Sequence, residues 1–121
     1  MQANAALKTV GLSENEAKVY QALLSLGSSK AGRVSKVAEL DRTSTYNSLK
    51  SLLEKGLASY VTIGKVKWFA ASNPQNLKAF LTDKLERLED VLPALEKEFG
   101  ARSGARWFYV LVADPGLPLA L

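Results

Sequence analysis

Apolar residues recur at helical spacing in the stretch 14–26, which predicts the first helix of the chain. Ser13 precedes this stretch and Glu16 lies three residues after Ser13, which is the spacing of a capping box. Gly27 follows the last apolar position, and glycine readily adopts the left-handed conformation that ends helices. The pattern therefore predicts both ends of this helix. Its apolar positions are Ala17, Tyr20, Leu23, Leu24 and Leu26.

Two further helices are predicted next. The shorter one covers about residues 30–38, with Arg33 and Lys36 on the side away from its apolar positions. The longer one covers residues 42–55. Asp41 is a favourable N-cap for it, because a carboxylate can accept hydrogen bonds from the free N–H groups of the first turn.

The helix over residues 42–55 has two contrasting faces when its residues are placed at about 100° intervals. One face is apolar and is expected to pack in the core, Tyr46 included. The other carries short side chains that can form hydrogen bonds. The apolar face comprises Tyr46, Leu49, Leu52 and Leu53, with Thr45 at its edge, and the polar face comprises Thr43, Ser44, Asn47 and Ser51.

A β-hairpin is predicted after the third helix. Residues 57–63 and 66–71 are rich in β-branched and aromatic side chains, and Gly64 and Lys65 form a compact turn between them. Lys65 and Lys67 place positive charge near the tip. Tyr60 and Trp68 are expected to pack within the hairpin.

A long helix is predicted from Asn73 and Pro74, since proline is favoured in a first helical turn. Its leucines alternate at spacings of four and three, the heptad pattern of a coiled-coil seam. The seam can pair with a second chain or fold back on its own domain. Pro93 is expected to kink or interrupt the helix near Glu89. The seam consists of Leu81, Leu85, Leu88, Leu92, Leu95 and Phe99.

These elements divide the chain into three parts. Residues 1–72 hold the three helices and the hairpin, residues 73–100 form the long helix, and residues 101–121 form an apolar tail whose segment 107–113 resembles a strand. The predicted fold class is mainly α with a small β-hairpin (α+β): a winged helix-turn-helix followed by a long C-terminal coiled-coil helix.

The composition limits the kinds of function that we expect of the protein. The chain has no cysteine and no histidine, and it carries no glycine-rich phosphate loop, so we expect neither an enzyme nor a bound metal or cofactor. Residues 1–72 carry ten Lys or Arg against five Asp or Glu, a balance of +5, whereas residues 73–121 have a balance of −1. The basic excess thus lies in the predicted winged helix, where a polyanion would bind.

Together these features favour a sequence-specific, double-stranded DNA-binding transcriptional regulator that acts as a homodimer. The helix over residues 42–55 would enter the major groove, because short polar side chains can read base edges there. The hairpin over residues 57–71 would act as the wing, on the flanking backbone or in the minor groove. The predicted DNA-binding residues are Arg42, Thr43, Ser44, Asn47, Lys50, Ser51, Lys65 and Lys67.

Other interpretations of the same residues remain open. The polar side chains of the third helix can be an ordinary solvated face, and Arg42 can pair with Glu39 or Glu54. The alternative function is a winged-helix protein–protein interaction module that does not bind DNA and docks through its apolar tail. The chain has no targeting segment and no stretch of membrane-spanning length, so we expect a cytoplasmic protein without membrane contact.

Several motifs resemble those of TrmB-type transcriptional regulators. The segment GLSENEAKVY at residues 11–20 resembles the opening of those proteins, and RTSTY at residues 42–46 resembles the start of their recognition helix. Similar segments follow at the exit of that helix, in the second wing strand and at the end of the linker helix. These are EKGL at residues 54–57, KWFAA at residues 67–71 and LPAL at residues 92–95, so that the resemblance covers roughly residues 7–99.

The resemblance implies a DNA-binding regulator, usually dimeric, that reads sequence with the helix starting at Arg42. Two departures stand out. The turn before that helix usually holds glycine where this chain has Glu39, so the turn must differ or bear strain. Larger family members also carry a sugar-sensing domain after the coiled helix. This chain resembles their DNA-binding half, which leaves any small-molecule effector unknown.

Overall fold

A computed structural model of the protein describes residues 3–103. Its order of helices, hairpin and long helix confirms the predicted fold class. The N-terminal helix was not predicted, since only one of its seven residues is buried and its apolar pattern is weak. The predicted strand at residues 107–113 lies outside the described residues. The elements are α1 (Ala3–Thr9), α2 (Glu14–Leu26), α3 (Ala31–Ala38), α4 (Arg42–Glu54), β1 (Ala58–Ile63), β2 (Val66–Ala71) and α5 (Asn76–Ser103).

The predicted helix caps are present. The Ser13 N–H donates to Glu16 Oε1 at 2.7 Å, and the Glu16 N–H donates to Ser13 Oγ at 3.1 Å, which completes the capping box of α2. Asp41 Oδ2 accepts from the Ser44 N–H at 3.3 Å at the start of α4. Each cap satisfies N–H groups that a helix start otherwise leaves unpaired.

The core lies where α2, α3 and α4 meet the hairpin. Leu23, Val34 and Leu52 are fully buried at the centre of this packing. The prediction that Tyr46 belongs to the core is wrong, because its side chain is 46% exposed. Thr45 is buried instead. Its hydroxyl donates to the Asp41 carbonyl at 2.8 Å, so burial leaves no polar group unpaired.

The turn between α3 and α4 adopts a left-handed conformation at Glu39, with φ 57° and ψ 46°. The Glu39 N–H donates to the Lys36 carbonyl at 3.3 Å and the Leu40 N–H to the Ser35 carbonyl at 3.1 Å. This pair of bonds is the Schellman motif, in which glycine is usual at the position that Glu39 occupies. The chain therefore keeps the ordinary turn and bears the strain of a non-glycine residue.

Replacing Glu39 with glycine is expected to raise the free energy of unfolding by about 0.5–1 kcal/mol. Relief of the left-handed strain, roughly 1–2 kcal/mol, outweighs the extra backbone entropy of glycine in the unfolded chain. Urea denaturation measures this change. Glu39→Ala is the control, because it removes the same carboxylate but keeps the strain and should give no gain. Equal stability of the wild type and Glu39→Gly would contradict the account.

The hairpin has the predicted two-residue turn, with Ile63 paired to Val66 across it. Gly64 has a φ of 65°, which is the conformation that the first turn residue of a type II′ turn requires. A separate β-bridge ties the hairpin to the loop before α3. The Ser29 N–H donates to the Phe69 carbonyl at 2.8 Å, and the Phe69 N–H donates to the Ser29 carbonyl at 2.7 Å.

The long helix α5 begins three residues later than predicted. Asn73 Oδ1 accepts from the Gln75 N–H at 2.9 Å and caps a turn that precedes the helix. Of the two outcomes expected at Pro93, a kink or an interruption, the interruption does not occur, because α5 continues through it. Proline removes one N–H donor, and the carbonyls of this exposed stretch can accept from water instead.

The described chain divides into two compact units, one ending at Thr82 and the other beginning at Asp83, so that α5 starts in the first and supplies the described part of the second. The seam side chains of α5 are all between 38 and 54% exposed in the single chain. Across residues 3–103, no helix is both long and apolar enough to cross a membrane. The same residues contain no group of acidic side chains placed to hold a metal ion.

Candidate nucleic-acid interface

An open cleft of about 960 Å³ lies between the start of α3, the start of α4 and the hairpin. Every charged side chain that lines it is basic. Because low-dielectric walls concentrate the field of like charges, a cleft of this kind attracts polyanions. The basic residues that line it are Lys30, Arg33, Arg42, Lys65 and Lys67.

Local structure brings these charges together. Lys30 is the N-cap of α3 and makes no side-chain capping bond, so the first N–H groups of that helix stay available to an anion. Arg42 is the first residue of α4, and Lys65 is in the hairpin turn. The bridge between Ser29 and Phe69 fixes the start of α3 beside the hairpin. The uncapped N-terminus of α3, with its positive dipole end, and the first residue of α4 thus border the same cleft.

Aromatic rings position two of the lysines. Lys30 Nζ lies 5.4 Å from the centroid of the Trp68 ring, and Lys67 Nζ lies 4.7 Å from that of Tyr60. The Tyr60 ring also packs on Phe69 at 5.7 Å with a tilt of 46°. The Tyr60 contacts agree with the prediction that this ring packs within the hairpin, whereas the contact of Trp68 is with Lys30, outside the hairpin. A ring face beside an ammonium group restrains the lysine without neutralising its charge.

The outer face of α4 presents an exposed stripe at one-turn intervals. Thr43, Asn47 and Lys50 are exposed as the sequence suggests, and Tyr46 joins them. Arg42 borders the stripe on the side of the cleft, and none of the ion pairs found among the described residues joins it to Glu39 or Glu54. The stripe is thus rotated toward Tyr46 relative to the polar face expected from the sequence.

The other side of α4 borders a shallow groove of about 390 Å³ facing the start of α2. Ser44, Asn47 and Ser51 line this groove together with Glu16. The Ser51 hydroxyl donates to Glu16 Oε2, so it is occupied within the protein. Ser44 and Ser51 are half-buried, which places them at the margin of the exposed stripe.

Glu16 joins α2 to the C-terminal half of α4. Its Oε2 atom lies 2.6 Å from Lys55 Nζ in a largely buried ion pair. Burial by itself raises the pKa of Glu16, but the hydrogen bonds from Lys55, Ser13 and Ser51 and the Lys55 charge outweigh it and lower the pKa from 4.5 to about 2. The carboxylate therefore stays ionised and fixes the orientation of α4 against α2.

Glu16→Gln is expected to remove part of the acid sensitivity of the fold. Since the folded pKa is below the unfolded one, the ionised carboxylate stabilises the protein above pH 4.5, and this contribution, at most about 3 kcal/mol, is lost as the pH falls toward 2. Urea denaturation at pH 7, 4 and 2.5 checks this. The variant should be less stable at pH 7 and lose less on acidification. Glu14→Gln, an exposed change on the same helix, is the control. Parallel pH profiles for the wild type and Glu16→Gln would refute the linkage.

Sequence reasoning missed three residues of the interface, namely Lys30, Arg33 and Tyr46. Arg33 was recognised as facing away from the apolar side of its helix, but not as facing the cleft. The signal that was available is the recurrence of basic residues just before and within the short helix α3. Their convergence with Arg42 depends on how α3 packs beside the hairpin, which the sequence pattern does not specify.

Three packed helices followed by a two-stranded wing define a winged helix-turn-helix domain. The chain belongs to the family described as the sugar-specific transcriptional regulator TrmB, whose model matches residues 7–75. This confirms the family resemblance found in the sequence. A family of transcriptional regulators also agrees with the expectation that the protein is not an enzyme.

Similar proteins include an HTH-type sugar sensing transcriptional regulator, TrmBL1, from Pyrococcus furiosus. It is 33% identical over 96 residues, which cover 76% of this chain but only 28% of that protein. The structure of TrmBL2, described as an archaeal chromatin protein with a novel mode of DNA binding, superposes with a TM-score of 0.71 at 26% identity, over 97% of this chain and 44% of that one.

A possible transcriptional regulator from Methanosarcina mazei Go1 shares the fold. Its TM-score is 0.60 at 18% identity, and the match covers 75% of this chain and 82% of that one. The present chain thus corresponds to less than half the length of both TrmBL1 and TrmBL2.

Proposed function

We propose that the protein is a sequence-specific, double-stranded DNA-binding transcriptional regulator that acts as a homodimer. The observation that carries this proposal is the basic cleft beside the exposed stripe of α4, because it combines a phosphate-binding surface with short side chains suited to base edges. Membership of the TrmB family supports the same function.

In this arrangement α4 lies in the major groove with its N-terminal end toward the bases. Arg42, Lys65 and Lys67 contact backbone phosphates, and Lys30 and Arg33 extend that contact along the start of α3. Thr43, Ser44, Asn47 and Lys50 occupy the groove-facing side and its margin. Ser51, also predicted to contact DNA, contributes indirectly, since its hydroxyl anchors α4 to Glu16.

The homodimer is formed by the seam of α5. Its six apolar side chains are exposed in the single chain, and their alternating spacing matches a partner helix with the same repeat. A second copy supplies that repeat by symmetry. Two-fold symmetry then places two α4 helices on two half-sites, separated by one or more turns of DNA.

Selection from a pool of random duplexes tests the proposed function. We expect enrichment of a two-fold symmetric sequence whose half-sites lie a whole number of helical turns apart. Enrichment of an asymmetric single site would contradict the dimer. Firm binding without enrichment would contradict sequence specificity and favour general coating of DNA, in line with the description of TrmBL2 as a chromatin protein.

Asn47→Ala is expected to relax the sequence preference at one position of each half-site. An asparagine amide can bond an adenine edge through two hydrogen bonds, so the cost is about 1–3 kcal/mol against the preferred base. Competition binding with single-base variants of the selected site measures this. Lys65→Ala is a useful comparison, since loss of a lysine that contacts phosphate weakens all sequences alike. An unchanged preference in Asn47→Ala would remove Asn47 from the base-reading face.

A further inference from the structure

A second concave site lies away from the basic cleft, between α1, the middle of α2 and the turn that leads into α5. It is a pocket of about 290 Å³, and all the side chains that line it are uncharged. Leu7, Leu24 and Leu77 supply much of its apolar wall. A pocket of this size and polarity suits a small neutral molecule, since nothing in it compensates the desolvation of a charged one.

The pocket wall includes a buried polar group that the fold leaves unpaired. Tyr20 lines the pocket and is only 2% exposed, and its hydroxyl has no hydrogen-bond partner in the described part of the chain. Asn4 Oδ1, on the adjoining helix α1, is buried without a partner as well. Tyr20 Oη is closed to solvent in the unliganded chain, so a ligand reaches it only after a small shift of the pocket wall. Because a buried hydroxyl without a partner costs free energy, such a shift would let a ligand in the pocket supply the missing hydrogen bond.

We propose that this pocket binds a small neutral molecule with one apolar ring and a single hydroxyl or carbonyl oxygen that hydrogen-bonds to Tyr20 Oη. Burial raises the pKa of Tyr20, so the hydroxyl keeps its proton at neutral pH and can either donate or accept. The ring would fill the space between Leu7, Leu24 and Leu77. The site is separate from the basic cleft, because the two share no lining residue.

Titration of the full chain with phenol, followed by backbone amide chemical shifts, tests the proposal. We expect saturable shifts centred on Leu7, Leu24 and Leu77. Toluene, which has the same ring without the hydroxyl, should bind at least tenfold more weakly, and benzoate should not bind. The affinity of Tyr20→Phe for phenol should fall to the affinity that the wild type has for toluene. The unliganded variant should remain folded, because no existing hydrogen bond is lost.

Replacing either of two alanines on α1 with leucine tests where phenol binds. Ala6 lines the pocket and Ala5 is exposed beside it, so Ala6→Leu should abolish phenol binding and Ala5→Leu should preserve it. Equal affinities for phenol and toluene, or phenol binding that survives both Tyr20→Phe and Ala6→Leu, would overturn the proposal. It would also be overturned if the same amides shifted on raising the protein concentration without phenol, since a second copy would then cover the pocket.

Discussion

Replacing Arg42 with glutamate is expected to lower the affinity for duplex DNA about 10²-fold or more. The change removes one phosphate contact per protomer and places a negative charge in a cleft whose other charged residues are all basic. Like charges brought together in an interface cost several kcal/mol, which is more than the loss of a single exposed contact. The affected residue begins α4, so the repulsion acts where the helix approaches the DNA.

Fluorescence anisotropy with a labelled duplex at fixed salt measures this loss. Lys78→Glu is the matched control, because it makes the same change in net charge at an exposed position that does not line the cleft. The control should weaken binding only slightly, through the general field of the protein. Equal losses in the two variants would mean that net charge, and not the cleft, determines binding.

Replacing Leu88 with glutamate is expected to convert the dimer to a monomer at micromolar concentration. Leu88 lies within the seam and is 48% exposed in the single chain. In a symmetric dimer one substitution introduces two carboxylates into an apolar interface, and each must be desolvated without a partner. We expect the dimer dissociation constant to rise about 10³-fold or more.

Sedimentation velocity at several protein concentrations measures this change. Lys97→Glu also adds negative charge to α5, but at an exposed position outside the seam, and it should leave the dimer intact. Binding to a two-fold site should weaken in Leu88→Glu, because the two half-sites are then bound independently. A wild-type chain that sediments as a monomer at these concentrations would remove the dimer from the account.

Much of the fold could be predicted because its signals are local. The capping box of Ser13 and Glu16, the Asp41 cap and the Gly64 turn are each determined by residues a few positions apart, and all are present. The helix α1 gave no comparable signal, since an alanine-rich stretch with one buried leucine has little amphipathic pattern. The Glu39 strain was one of two alternatives foreseen from the sequence, and the geometry selected it.

The candidate site was harder to predict, since it depends on how helices pack. A helical wheel ranks Tyr46 with the leucines, yet Thr45 and Ser48 are the side chains of α4 that are buried beside Leu49 and Leu52, and the larger ring is left outside. Ser51 looked free on the wheel, but the long-range contact with Glu16 occupies it. Lys30 and Arg33 enter the interface only because the bridge from Ser29 to Phe69 holds α3 beside the hairpin.

The salt dependence of binding shows most directly whether the basic cleft binds the phosphate backbone of duplex DNA. If each of the five basic residues that line the cleft neutralises one phosphate, log K should fall with log salt at a slope of roughly −4.5 per protomer, and twice that for a dimer. Arg42→Ala should reduce the slope by about 1 per protomer. Binding that is absent at low salt, or that shows a slope near zero, would contradict the account.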